Sequence, residues 1–359
     1  MRLGIIGLPN CGKTTIFNAL AGQNIETAPV SSGQFEVHTA IVNVPDDRLS
    51  QLSAMYNPKK TTFATITYTD IGGLDKGMSE GLKGQFRTEL SQVDGFVHVV
   101  RVFEDDTVPH PYVSIDPARD LDTIDGEFLL ADLVTIENRL EKVHDEIRIK
   151  GKKVEAQYTD EIALLERMKA HLEAEKPLRD MGLADEETKP LRGFGLLTLK
   201  PVLVVLNLGD EARDPASVLT YDHAQSAVVG LQGKLEAEIA QLDSKDDVDM
   251  FMEEYGITEL SAAKVIRFSY DLTSMQSFFT VGEDECRACS VKIGAKAPEA
   301  AGAIHTDLQK GFIRAEVMRV QDLIELGSEA AVKKAGKMRL EGKDYVVQEG
   351  DIVHVRFNI

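Results

Sequence analysis

The stretch Gly7-Leu8-Pro9-Asn10-Cys11-Gly12-Lys13-Thr14 fits the phosphate-loop pattern G-x-x-x-x-G-K-[ST]. It follows an apolar run that predicts a strand, Leu3 to Ile6, and precedes a run that predicts a helix, Thr14 to Ala21. In this setting the glycines let backbone N–H groups surround phosphates, and the helix N-terminus adds partial positive charge. The stretch therefore predicts a nucleoside triphosphate site in an α/β domain.

The predicted site divides into residues that bind the nucleotide and residues that hold a metal ion. Lys13 is expected to reach the β- and γ-phosphates and to stabilise the transferring phosphoryl group, and the Thr14 hydroxyl is expected to ligate Mg²⁺. The residues of the loop that we expect to bind the nucleotide are Asn10, Cys11, Gly12, Lys13, Thr14 and Thr15.

A second motif lies at the end of a β-branched run. Ala64 to Thr69 predicts a strand, and it is followed by Asp70, Ile71, Gly72 and Gly73. A carboxylate at the carboxyl end of a strand is suited to the Mg²⁺ shell, so Asp70 is the second predicted metal residue. The Gly73 N–H is predicted to contact the γ-phosphate, because only glycine permits so close an approach.

A third motif, Asn207-Leu208-Gly209-Asp210, follows the buried strand predicted over residues 201–206. Carboxyl ends of strands in α/β nucleotide-binding domains are where such proteins contact the base. The motif resembles the guanine signature N-K-x-D with its lysine replaced, and we expect Asn207, Leu208 and Asp210 to bind the nucleotide. An ordinary turn after a strand is the alternative.

Between residues 102 and 201 the pattern changes from strands to long helices. Leu129, Leu133, Ile136, Leu140, Val143 and Ile147 are spaced 4, 3, 4, 3 and 4 residues apart, as in a coiled-coil seam. A looser stripe follows Gly151, at Tyr158, Ile162, Leu165 and Leu172. The two stripes predict an antiparallel coiled coil that projects from the domain, and an ordinary helix pair on the core is the alternative. From about residue 273, predicted strands surround one helix (297–309), which indicates a small α+β module.

Composition limits the class of protein. The hydrophobic fraction of 43% and the charged fraction of 28% are those of a globular protein, and no apolar run is long enough to span a bilayer. Three cysteines and no recognisable signal peptide favour the cytoplasm. The net charge of −19 disfavours unassisted binding to nucleic acid. Charge is nearly balanced in residues 276–359, so that part, with the basic stretch Arg148 to Lys153, is the best candidate for RNA contact. A solvated charged surface is the alternative, which each stretch taken alone favours.

The order of these motifs resembles the YchF-type Obg-like ATPases. The phosphate loop, the D-I-G-G-L stretch and the N-x-x-D motif come in that family's order, with a helical insert before the last. Phe278-Phe279-Thr280-Val281-Gly282, Lys296 to Gly302 and Gly311 to Val317 are similar to that family's C-terminal TGS domain. The resemblance covers nearly the whole chain.

The resemblance implies a P-loop G domain with an inserted coiled coil and a C-terminal β-grasp (TGS) domain. We place the first part of the G domain at residues 1–125, the insertion at 126–192, the second part of the G domain at 193–272 and the TGS domain at 273–359. The resemblance also implies association with ribosomes or the translation machinery, and hydrolysis of ATP in preference to GTP. The RNA contact through the TGS domain and the coiled-coil tip is the prediction made above from charge.

Two departures from the family pattern leave alternatives open. Asp210 stands where the family has glutamate, and aspartate is the residue of GTPases, so a GTPase is one alternative. Gln34 aligns with the family's Mg²⁺-sensing threonine, and Ser31 or Thr39 could replace it. This favours a second alternative, a nucleotide-gated ribosome-binding protein with negligible hydrolysis.

Other residues with reactive side chains receive a structural interpretation. Leu74 stands where related GTPases carry a water-orienting glutamine, so no general base is assigned. His38 and His98 are interpreted as structural. Cys286 and Cys289 form C-x-x-C without further ligands, which indicates two incidental thiols rather than a redox or metal site. For Cys11, neighbouring N–H dipoles are expected to lower the thiol pKa.

Overall fold

The computed structural model describes residues 1–22, 37–71, 82, 84–209, 213–242, 244–255, 257 and 259–358. Its strands are β1 (Arg2–Ile6), β2 (Val37–Asn43), β3 (Lys60–Thr62), β4 (Thr65–Ile71), β5 (Gly95–Arg101), β6 (Val202–Asn207), β7 (Ser226–Leu231), β8 (Met275–Thr280), β9 (Glu285–Lys292), β10 (Phe312–Arg319), β11 (Arg339–Glu341) and β12 (Asp351–Phe357).

The α-helices are α1 (Lys13–Ala21), α2 (Asp47–Tyr56), α3 (Gly84–Gln92), α4 (Pro117–Lys150), α5 (Lys152–Glu173), α6 (Asp185–Thr188), α7 (Pro215–Val218), α8 (Gly233–Ile239), α9 (Lys245–Glu254), α10 (Ser261–Leu272), α11 (Ala297–Ile304), α12 (Thr306–Lys310), α13 (Val320–Leu326) and α14 (Glu329–Lys334). Two 3₁₀ helices cover Leu178–Met181 and Lys189–Phe194.

The chain divides into two compact units. Unit 1 comprises Met1–Ile41 and Thr67–Val265, and unit 2 comprises Val42–Ile66 and Ile266–Ile359. The chain passes from one unit to the other within β2, β4 and α10.

Unit 1 is built on a six-stranded sheet in the order β2-β4-β1-β5-β6-β7. The pairs β1–β4, β1–β5, β5–β6 and β6–β7 are parallel. Every residue of β5 and β6 is buried, as expected for central strands covered on both faces. Because Ile5 pairs with Asp70, Ile6 with His98 and Arg101 with Asn207, the carboxyl ends of four parallel strands meet at one edge of the sheet.

Helices α4 and α5 form an antiparallel hairpin. Arg139 pairs with Glu161 at 2.6 Å, and Tyr158 donates to Glu146 at 2.8 Å, so positions rising along α4 meet positions falling along α5. Ile136, Leu140, Leu165, Met168 and Leu172 are buried in a cluster of their own. The predicted antiparallel coiled coil agrees with this hairpin.

The N-terminal part of α4 packs in the core of the sheet of unit 1. Helix α4 begins at Pro117, with Asp116 as its N-cap, and Leu121, Ile124 and Phe128 pack in the sheet's apolar cluster. The predicted boundary at residue 126 therefore falls inside α4. The four domain ranges given above remain predictions.

Unit 2 contains a mixed six-stranded sheet in the order β11-β10-β12-β8-β9-β3. One face carries a buried cluster with Phe278, Phe312, Val317 and Val353, together with three alanines of α11. The predicted α+β class of this unit is confirmed. The helix predicted over residues 297–309 is two helices, because His305 has extended backbone angles and its side chain accepts a hydrogen bond from the Asp307 N–H.

The sequence patterns missed two short strands of this sheet, β3 and β11. Lys60, Thr61 and Thr62 pair in parallel with Glu285, Cys286 and Arg287, more than 200 residues further along the chain. None of the helices that the structure describes combines the length and the apolar composition that crossing a bilayer requires.

Candidate nucleotide site

The phosphate loop connects the carboxyl end of β1 to the N-terminus of α1. Gly12 has φ +93°, and a Cβ atom there would lie 2.1 Å from Nδ2 of Asn207. Glycine is therefore required both by its backbone angle and by a side chain that occupies the space. Lys13 Nζ donates to the carbonyl oxygens of Gly7 at 3.1 Å and Leu8 at 2.9 Å. The loop thus curves around the ammonium group of Lys13.

Thr14 and Asp70 meet beside this loop. The Thr14 hydroxyl donates to Asp70 Oδ2 at 2.9 Å. Asp70 Oδ1 is buried and has no hydrogen-bond partner among the described residues. Burial raises the pKa of Asp70, and the positive charge of Lys13 opposes that rise. A buried, unpartnered carboxylate oxygen next to a hydroxyl is a donor set that fits a hard divalent cation.

Asn207 connects the end of β6 to the phosphate loop. Its side chain is buried, and Nδ2 donates to the Cys11 carbonyl oxygen at 3.0 Å. A Cβ atom at Gly233, the first residue of α8, would lie 2.6 Å from Asn207 Oδ1. The asparagine therefore fills the space between the phosphate loop and α8.

Leu208 points into the core. It is buried, belongs to the apolar cluster of the sheet, and lies against Gly230 of β7. Asp210 and Gly73, together with Ser31, Gln34 and Leu74, lie outside the described residues. Thr39 is exposed in β2, and Thr15 is half-buried in the first turn of α1.

The thiol of Cys11 differs from the expectation for its pKa. Cys11 is buried, and its burial raises the thiol pKa more than the charge of Lys13 and the backbone hydrogen bond lower it. The expected lowering by N–H dipoles is thus outweighed by desolvation. A buried thiol with a raised pKa is a packing residue and not a reactive one.

Cys286 and Cys289 are buried in β9. Because they are three residues apart in a strand, their side chains leave opposite faces of the sheet. Cys289 lies in the apolar cluster of unit 2, and burial raises its pKa to about 11. The structural interpretation of the C-x-x-C sequence is consistent with this placement.

A segment that the sequence patterns did not single out also contacts the phosphate loop. Arg101, the last residue of β5, is 2% exposed and donates to the carbonyl oxygens of Phe103 and Val108 at 3.1 and 3.0 Å. Asn10 Nδ2 donates to the Pro109 carbonyl oxygen at 2.9 Å. An arginine at the end of an otherwise apolar strand was the only local signal.

Phe103 lies between the phosphate loop and the loop after β6. A Cβ atom at Gly12 would be 3.8 Å from its ring, and one at Gly209 would be 3.6 Å from its Cβ. The half-buried Phe103 therefore contacts both loops, with its ring beside the phosphate loop and its Cβ atom beside Gly209.

This fold and this loop define a P-loop protein of the GTPase class. Two family models match the chain: "50S ribosome-binding GTPase" over residues 2–125, and YchF-GTPase_C, "Protein of unknown function (DUF933)", over residues 275–358. The chain belongs to the YchF family, because it is 43% identical to the "Ribosome-binding ATPase YchF" of Bacillus subtilis over 100% of both chains.

Relatives outside the bacteria are similar over the same extent. The "Obg-like ATPase 1" of Oryza sativa is 37% identical, with 100% of this chain and 92% of the relative covered. The solved structure of the Schizosaccharomyces pombe YchF GTPase superposes with a TM-score of 0.84 at 30% identity. The match covers 99% of this chain and 97% of the yeast chain. The predicted family and fold class are confirmed.

Proposed function

We propose that this chain is a Mg²⁺-dependent nucleoside triphosphatase that hydrolyses ATP and binds the ribosome under control of the nucleotide. The observation that carries the proposal is the loop around Lys13 Nζ with the Thr14–Asp70 pair beside it. The curated relatives in Bacillus subtilis and Haemophilus influenzae are named ribosome-binding ATPases, which supports both the reaction and the partner.

Each predicted residue receives a role in this proposal. Lys13 and the loop N–H groups stabilise the negative charge on the transferring phosphoryl group. Thr14 and Asp70 would hold Mg²⁺, which would supply positive charge to offset the negative charge of the phosphates. The Gly73 N–H would contact the γ-phosphate, and Asn207, the backbone of Leu208 and Asp210 would form the base side of the site. The remaining loop residues Asn10, Cys11, Gly12 and Thr15 contribute backbone groups.

The partner proposal concerns RNA of the ribosome. The hairpin tip carries Arg148 and Lys150 in an exposed position, and Lys152 and Lys153 follow in the sequence. Arg148 pairs with Asp145 at 2.9 Å and Lys150 with Glu146 at 2.8 Å, so part of this charge is compensated within the tip. The tip and unit 2 are the proposed RNA contacts, and this partner would place the chain in the cytoplasm.

A GTPase is the second candidate function. The family model over residues 2–125 and the solved fission yeast relative are both called GTPases, whereas the curated relatives are named ATPases. Hydrolysis is common to both candidates, and measured turnover separates them from a protein that binds nucleotide with negligible hydrolysis.

The decisive experiment replaces Lys13 by alanine. We expect the Lys13→Ala variant to lose ATP and GTP affinity by about 100-fold or more, because a charge-assisted contact to phosphate is lost. The variant should keep the melting temperature close to the parent, because the hydrogen bonds of Lys13 Nζ to described residues go to two loop carbonyls. Isothermal titration and thermal melting measure both quantities.

The matched control is Lys142→Ala, which removes an exposed lysine of the hairpin. It should bind ATP like the parent protein. Unchanged affinity in Lys13→Ala would refute the site assignment, and absence of ATP and GTP binding in the parent would refute the proposed function itself.

A further inference from the structure

We infer that Arg101 is a positioning residue for the nucleotide base, because it holds Phe103 against the phosphate loop. This inference rests on the proposed function. The residue is 2% exposed at the carboxyl end of β5. Buried arginines are normally paired with carboxylates. No carboxylate in the described part of the chain lies within ion-pair distance of Arg101, and the charges of Asp105 and Asp120 act on it from farther away.

Within the described ranges, the guanidinium donates to backbone carbonyl groups and to no side chain. Its Nε reaches Phe103 O at 3.1 Å, Nη2 reaches Asp105 O at 3.2 Å, and Nη1 reaches Val108 O at 3.0 Å. The longest contact joins Nη1 to Asn10 O at 3.5 Å. Three of these acceptors lie in residues 103–108, and the fourth lies in the phosphate loop. One planar group therefore ties the two loops together.

The aromatic ring of Phe103 is held by the same group. The Arg101 guanidinium carbon lies 4.3 Å from the centroid of the Phe103 ring, which is within the range of a cation–π contact. The ring is thereby fixed beside Gly12 of the phosphate loop, while the Cβ and Cα atoms of Phe103 lie beside Gly209, in the loop that we expect to contact the base. A phenyl face at that place offers a purine a stacking partner.

The far end of the segment is fixed separately. Asn10 Nδ2 donates to Pro109 O, and His110 Nε2 lies 2.8 Å from Asp120 Oδ2 in the first turn of α4. The side chains of His110 and Asp120 are at most 5% exposed. Because the segment is anchored at residue 110 without Arg101, loss of the arginine should release residues 103–108 while the rest of unit 1 stays folded.

ATP and inorganic triphosphate distinguish the proposed role of Arg101. Arg101 acts through Phe103 on the base, so its loss should weaken ATP, which has a base, and spare inorganic triphosphate, which has none. We expect Arg101→Met to lower ATP affinity about tenfold, the size of one aromatic contact, and to change triphosphate affinity less than about threefold. In turnover, KM for ATP should rise while kcat at saturating ATP stays within about twofold.

Three further variants test the mechanism by isothermal titration with Mg²⁺ present. Phe103→Ala should reproduce the loss, and the double variant Arg101→Met with Phe103→Ala should be no weaker than either single variant. Arg179→Met is the matched control. Arg179 is also a buried arginine, it donates to the carbonyl oxygen of Thr198, and its guanidinium lies over the ring of Tyr221. It should bind ATP like the parent protein.

The outcomes separate this inference from the proposed function. If the parent protein binds ATP and Arg101→Met binds it equally well, the inference is wrong. Equal losses for ATP and triphosphate, additive effects of the two substitutions, or the same loss in Arg179→Met would also overturn it. If Arg101→Met does not fold, Arg101→Lys replaces it: lysine keeps the charge but cannot span the carbonyls, so the same selective loss is expected, and its absence refutes the inference.

Discussion

At the scale of single residues, the site contains buried polar and charged groups whose desolvation costs free energy unless a ligand or another group compensates for it. Among the residues that the structure describes, Asp70 has a buried oxygen without a hydrogen-bond partner, and the buried charge of Arg101 is satisfied by carbonyl groups. His98 belongs to the same strand as Arg101 but has no part in the proposed site. It is 1% exposed, and its Nδ1 atom has no partner among the described residues.

His98 predicts how stability depends on pH. Burial lowers its pKa from 6.5 to about 3, so the folded state keeps it neutral while the unfolded state takes up a proton below pH 6.5. Stability should therefore fall as pH decreases from 6.5 towards 3. Replacement by methionine, His98→Met, should reduce the loss between pH 6.5 and 4.5 by about 2–3 kcal/mol. Urea unfolding at both pH values measures the effect.

The control for this prediction is His144→Gln, since His144 is exposed on α4. It should leave the pH dependence of the unfolding free energy as in the parent protein. An equally steep acid loss in His98→Met would show that other groups determine it.

At the scale of elements, sequence patterns predicted the strands, helices and loops that are specified by residues close together in the sequence. The phosphate loop between β1 and α1, the buried strands β5 and β6 and the seam of α4 all have periodic or fixed spacing. Strand β3 has three residues, and its partner Glu285 is fixed by the fold of unit 2. Arg101 could not be predicted from local patterns either, because its proposed role depends on carbonyl groups that only the folded chain brings together.

The hairpin predicts a tolerated deletion. Replacement of residues 143–158 by a four-residue Gly-Ser linker keeps the Arg139–Glu161 pair and the buried cluster around Met168. We expect cooperative melting and parental ATP affinity, with weaker co-sedimentation with ribosomes because the basic tip is gone. Met168→Ala, at the base, should instead cost about 2–4 kcal/mol of unfolding free energy.

A charge-reversed tip separates length from charge in this experiment. Glutamate at Arg148, Lys150, Lys152 and Lys153 keeps the full hairpin and should reduce ribosome binding as the deletion does. Loss of cooperative melting in the shortened protein would show that the tip belongs to the core. Undiminished ribosome binding in both variants would exclude the tip as the contact.

At the scale of the whole molecule, the family relationship covers both units, but it leaves the choice of nucleotide to a few residues. Curated relatives are named ATPases, and the solved fission yeast relative is called a GTPase. In this chain Asp210 follows the N-x-x-D spacing of GTPases, whereas Leu208 replaces their lysine and is buried against Gly230. The two features favour opposite nucleotides.

The physical chemistry of the base edge determines the expected preference. Guanine presents N1–H and the 2-amino group as donors, and an ionised Asp210 would accept both. Adenine offers an acceptor at N1, which a carboxylate repels. A site that reads the guanine edge in this way discriminates by about 10⁴-fold. With Leu208 in the core, no side chain at that position supports such a pairing, and we expect ATP to be preferred by less than about tenfold.

Competition between ATP, GTP and inosine triphosphate tests this expectation, because inosine has the N1–H donor but no 2-amino group. If Asp210 contacts the base edge, Asp210→Asn should lower the affinity for GTP far more than that for ATP, and the loss for inosine triphosphate should lie between the two. The control Asp222→Asn, at an exposed position, should change none of the three affinities. Comparable losses for all three nucleotides would show that Asp210 does not face the base. GTP binding about 100-fold tighter than ATP in the parent protein would refute the preference for ATP, since that ratio requires more than about 2 kcal/mol of selective contact with guanine.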